Sequence, residues 1–224
     1  CKTISFASIN GVTTSRISFL YKKEDKEEIK NLSSAVLNTN LTLSFGCIFG
    51  IVGVTNYFVP LFFGEGYEFT EYLIYIFSIL IFVGCISNTL GGLYYMPTGK
   101  RWQSAKYLII GSIINLILNL ILIPFFSSIG AAVASIISET IISILYFKNS
   151  NSFYTFRQLI YFSWKKIIAG IIMLVIVTVL GKIIILPVYF ILSIQIIVGV
   201  LIYFMILFLL KDSCFFSFKK IFKA

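Results

Sequence analysis

The stretch INLILNLILIPFFSSIGAAVASIISE (114–139) decides the fold. Two strongly apolar runs meet at Ser127 and Ser128, the first closed by Pro124 and the second opened by the small residues Gly130, Ala134 and Ser138, with Ala131 and Ser135 beside them. A hydrocarbon core about 30 Å thick takes roughly 20 apolar residues in a helix, and the segments 107–126 and 129–147 supply that length on either side of the serines. The pattern predicts a tight transmembrane hairpin. Its arms approach closely because small side chains replace the hydrophobic force that lipid removes.

Working outward, the same length recurs at 33–61, 72–97, 167–186 and 187–210, giving six spans in all. The first is the weakest, since Asn38, Asn40 and Thr42 dilute it. Of 224 residues, 58% are hydrophobic and 12% charged, against about 25% charged in a water-soluble domain. The fold class is therefore all-α, a polytopic transmembrane helix bundle. Residues 1–32 read as the end of a truncated span plus a loop, 33–147 as a four-span bundle, and 148–166 as an interfacial helix. Two closing spans follow over 167–210, then a basic and aromatic tail over 211–224. With no initial Met and a polar CKTISFASINGVTTS at 1–15, the chain is expected to be the distal part of a longer polypeptide. The charged run KKEDKEEIK (22–30) is expected to form a short solvated helix.

The +9 net charge is distributed by topology. Sixteen of the eighteen Lys and Arg residues fall in 16–31, 100–106, 148–166 and after 210, while the opposite connections hold Lys182 and the acidic Glu65, Glu68 and Glu71. By the positive-inside rule both ends are cytoplasmic. No basic platform for nucleic acid exists. Histidine is absent, and there is no glycine-rich phosphate loop, paired catalytic carboxylate or metal-ligand spacing, so no cofactor is expected. The dispersed cysteines do not make a disulfide framework.

Glu139 stands out. It lies ten residues past Ile129, about 15 Å into the membrane at 1.5 Å per residue, where an acid costs roughly 2.5–3.5 kcal/mol unless paired, protonated or wet. Hairpin geometry sets residues whose numbers sum to about 255 at equal depth, so Asn115 and Asn119 are expected to bracket it. Two roles remain: a packing bridge, or a protonation or ion-coupling site. Asn88, with Ser87 and Thr89, either lines a cavity or bridges helices.

The 114–139 hairpin resembles that of bacterial polysaccharide-transport membrane proteins, with its paired Asn residues, IP at a helix end, GAA opening the next and a Glu further in. NTLGGLYYMPTGKR (88–101) and SRISFLYKKEDKEEI (15–29) are similar to the same proteins. These are the lipid-linked O-antigen flippases of the multidrug/oligosaccharidyl-lipid/polysaccharide exporter superfamily. The resemblance covers most of 10–147 and implies the later half of a two-lobed exporter of 12–14 spans in the bacterial inner membrane. It further implies a polyprenyl-pyrophosphate-linked oligosaccharide substrate, membrane-lipid contacts and other polysaccharide-assembly proteins as partners. A pyrophosphate calls for cations, yet every Lys and Arg sits near a span end, which leaves Arg16, Lys106 and similar interfacial residues, or the other half, to supply them. A cation-coupled drug exporter of the same superfamily is the alternative, ahead of a membrane-embedded polysaccharide enzyme.

Overall fold

The computed structural model describes residues 4–150, 153–215 and 217. Most of the expected basic and aromatic tail, 216 and 218–224, lies outside the described residues, as do 151 and 152. Among the described residues six α-helices succeed one another: α1 (Ile4–Lys22), α2 (Lys26–Phe63), α3 (Glu68–Leu90), α4 (Arg101–Lys148), α5 (Phe156–Ile183) and α6 (Val188–Leu209). A π-helical turn, Gly91–Tyr95, extends α3.

Local chemistry fixes the boundaries. The run 22–30 is not one helix. Glu24 takes φ +57° and Asp25 caps α2 by accepting from the Glu28 amide at 3.0 Å, so the cap outweighs the weak i,i+4 pairs and places Glu27 and Glu28 against the positive end of α2. At the far end Gly64 and Gly66, with φ +87° and +90°, turn the chain into α3. Thr155 and Gln158 form a reciprocal capping box that starts α5. From Phe156 the helix runs unbroken to Ile183, so that part of the expected interfacial helix and the fifth span are one continuous helix.

The hairpin is present. Although α4 is helical from Arg101 to Lys148, Ser127 has φ +48° and ψ −127°, and there the chain reverses. A straight helix would hold Gly111 and Ile142 about 46 Å apart, yet a Cβ on Gly111 would collide with the Ile142 side chain, and one on Gly130 with the Leu122 backbone. The first arm runs on past Pro124 to the turn. With α4 folded into two arms, the five helices long and apolar enough to cross a membrane make six crossings.

The weakest span by hydropathy is the central helix. α2 packs against α1, α3, α5 and α6, and its polar residues Asn38, Thr39, Asn40, Thr42 and Ser44 are all buried inside the bundle. Its glycines receive neighbours: Gly46 faces Tyr203 of α6, and Gly50 and Gly53 face Met173 and Val177 of α5. Gly170 of α5 in turn faces Phe49. Large apolar residues such as Leu116, Leu120 and Ile197 cover the outside, where lipid and not water is the solvent.

Gly111→Leu is expected to overpack the hairpin, costing about 1–3 kcal/mol and lowering the unfolding temperature in detergent. Gly11, whose Cβ would meet nothing within 4 Å, is the control: Gly11→Ala is expected to leave that temperature unchanged or slightly raised.

Candidate functional site

Among the described residues, three of the polar features inside the apolar bundle bear on the candidate residues. The first joins α3 to the two arms of α4. Ser87 Oγ donates to Glu139 Oε1 at 2.6 Å, and Ser143 donates to the Val83 carbonyl at 3.0 Å. Across the hairpin Asn115 Nδ2 donates to Ser138 Oγ at 3.1 Å, and Asn119 Nδ2 to Asn115 Oδ1 at 2.9 Å. Asn119 Oδ1 is buried with no hydrogen-bond partner. The amides were expected to take Glu139. These two amide bonds run to Ser138 and along the first arm, while Glu139, about 100° further round the helix from Ser138, accepts from Ser87 of α3. The remaining candidates take the following places. Asn88 Nδ2 bonds the Gly84 carbonyl of its own helix at 2.7 Å, Arg16 pairs with Glu28 at 2.8 Å and ties α1 to α2, and exposed Lys106 lies 5.8 Å from the Trp102 ring centroid.

The second feature escaped the sequence reading. Lys166, counted above among loop cations, is fully buried. Its Nζ donates to Asn38 Oδ1 of α2 at 2.6 Å, to the Phe162 carbonyl at 2.6 Å, and to Asp212, whose Oδ2 is 3.2 Å away. Asn38 Nδ2 donates on to Ser213 and Ser217, each at 3.0 Å, and Asp212 Oδ1 accepts from the Cys214 amide at 2.8 Å. Every strong group has a partner, the condition under which a buried charge pair is tolerated. One signal was available: Asp212 is the sole acid after Glu139. Burial, then the Asp212 carboxylate, pushes the Cys214 thiol up to about 12, leaving an inert thiol at neutral pH.

The third is an aromatic cluster at the basic end. Tyr95 donates to the Tyr146 carbonyl at 3.0 Å, the Tyr146 and Ser104 hydroxyls meet at 2.6 Å, and Lys100 Nζ donates to Tyr94 at 2.6 Å. The π-helical turn points Tyr94 and Tyr95 inward. Thr14 Oγ1 of α1 donates to its Gly92 carbonyl at 3.1 Å. Among the described residues no three His, Cys, Asp or Glu side chains converge to hold a metal.

No protein-family model matches the sequence. Among solved structures, a chain titled "Lipid II flippase MurJ, inward closed conformation" superposes with a TM-score of 0.72 at 18% identity, over 92% of this chain and 43% of that one. The chain has the fold of the MurJ flippase. A curated relative from Haloferax volcanii, "Probable low-salt glycan biosynthesis flippase Agl15", is 23% identical over 142 residues, 63% of this chain and 30% of the relative. The chain thus spans less than half the length of either protein it matches. Both carry flippase names, the relative's as a probable one, in agreement with the family resemblance drawn from the 88–101 and 114–139 motifs.

Lys166→Met, by leaving the Asp212 carboxylate buried without its cation, is expected to cost about 3–5 kcal/mol. Adding Asp212→Leu is expected to recover most of the loss. Thermal unfolding of the purified single and double variants measures both, and their non-additivity gives the coupling.

Proposed function

We propose that this chain forms one lobe of a membrane transporter that flips a lipid-linked saccharide between leaflets by alternating access. The observation that carries the reading is the match of 92% of the chain to under half of a lipid II flippase. Such a lobe needs a companion to enclose a cavity, and transporters commonly pair two repeats in this way. The substrate we infer is a polyprenyl-pyrophosphate-linked oligosaccharide, such as an O-antigen or capsule repeat unit, in the bacterial inner membrane. The basic ends of the helices face the cytoplasm on the positive-inside rule. This reading is preferred to the drug exporter because both similar proteins are named as flippases, one for lipid II and one in glycan biosynthesis.

The seam of Glu139, Ser87, Asn115 and Asn119 is the pathway candidate within this lobe. Its half-buried carboxylate accepts a short hydrogen bond from Ser87, which holds α3 against the second arm of α4. We assign it first a bridging role. Arg16 is committed to Glu28, so among the cation candidates Lys106 and the companion lobe are left to meet the pyrophosphate. Asn88 stays on the α3 face beside Ser87 as a lining candidate.

Deleting the gene is expected to make lipid-linked saccharide accumulate on the cytoplasmic leaflet while surface glycan falls, and the full-length gene to restore it. Dye efflux altered with surface glycan unchanged would instead establish the drug exporter. In the same assay Glu139→Gln is expected to restore transport nearly to wild type per unit of membrane protein, since Gln Oε1 still accepts from Ser87. A folded, inserted Glu139→Gln protein that fails to transport would show that Glu139 titrates during the cycle.

A further inference from the structure

A groove of about 390 Å³ opens on the outer face between the second arm of α4 and the start of α5. Ile144 and Phe147 form one wall, Phe156 and Leu159 the other, and Phe82 and Ile86 of α3 the floor. These two segments are consecutive in the chain yet splay apart. The lining hydroxyls of Thr140 and Ser143 are both consumed internally, by the Ile136 carbonyl at 2.7 Å and the Val83 carbonyl at 3.0 Å. Nothing in the groove asks for water. A volume of about 390 Å³ with apolar walls suits a hydrocarbon chain.

Charge is found only at its basic end. Exposed Lys148 lines the mouth, and exposed Arg157 lies in the first turn of α5 beside Phe156. Thr140 is eight residues below Lys148, about 12 Å deeper along the helix. An occupant must therefore be apolar for that depth and anionic at the top, at the level where basic side chains meet the membrane surface.

We propose that this groove holds one acyl chain of an anionic phospholipid from the leaflet at the basic end, its phosphate at Lys148 and Arg157. The lipid acts as a wedge between the α3–α4 unit and the α5–α6 pair, filling a gap that the side chains leave open. The proposal needs only the membrane-spanning fold and holds whatever the transported substrate is.

The test is native mass spectrometry of the full-length protein released from bilayers of equal phosphatidylglycerol and phosphatidylcholine. One phosphatidylglycerol is expected to remain bound in preference to phosphatidylcholine. Lys148→Gln, at an exposed site that folding does not need, is expected to reduce that preference about five-fold, the worth of one cation near a membrane surface. Ile144→Trp is expected to fill the groove and abolish retention, while Leu116→Trp on another outer face leaves it intact. Equal retention of the two lipids, an unchanged preference in Lys148→Gln, or displacement of phosphatidylglycerol by equimolar polyprenyl phosphate would overturn the proposal, the last by giving the groove to a substrate tail.

Discussion

A single buried amide sets the architecture. Asn38 of α2 accepts from Lys166 of α5 and donates to two serines beyond α6, so one side chain fixes three segments distant in sequence. Lipid supplies no hydrophobic force to draw helices together, and a charged amine taken from water must find its full set of acceptors. Lys166 finds them only when α2, α5 and the turn after α6 are all in place. Tyr203 of α6, donating to the Thr42 carbonyl at 2.9 Å one turn along α2, repeats the constraint with a neutral group.

The polar residues of α2 therefore serve as the inner surface of the bundle. Asn40 Nδ2 reaches Thr89 of α3 at 2.9 Å, while Tyr154 reaches the Ser33 carbonyl at 2.8 Å from the connection ahead of α5. Small residues complete the arrangement wherever a large partner enters, as at Gly46 beneath Tyr203 and Gly170 beneath Phe49. Polar bonds choose the neighbours of α2. Glycines let those neighbours come close.

Much of this was legible in the residues and part was not, for definable reasons. The hairpin followed from apolar length and the serine turn, and its depth rule was close: Asn115 meets Ser138, and Gly111 faces Ile142. Depth is one coordinate, however, and azimuth is another. One residue turns the helix by about 100°, so Ser138 takes Asn115 across the hairpin while Glu139 takes Ser87 of α3. Hydropathy ranked α2 last because it scores Asn and Thr as exposed, whereas the bundle buries them and bonds Asn38, Asn40 and Thr42 internally. Lys166 was hidden by its neighbour Lys165, whose ammonium reaches the carbonyls of Leu210 and Lys211. Two adjacent lysines look alike in sequence, yet one is half-buried and the other fully buried in the fold.

The π-helical turn at Gly91–Tyr95 carries a consequence of its own. Met96 donates to the Gly91 carbonyl, five residues back, so the turn holds one residue more than α-helical winding would. Everything after it is rephased relative to everything before. Upstream, Ser87 is aimed at Glu139 in the membrane; at the far end of the turn, Tyr95 is aimed at the last turn of α4, its ring 4.7 Å from that of Tyr146. In an unbroken α-helix those two directions would be locked to each other by the pitch. The extra residue works like a clutch between two gears, allowing the buried seam and the tyrosine cluster to keep separate alignments on a single rod.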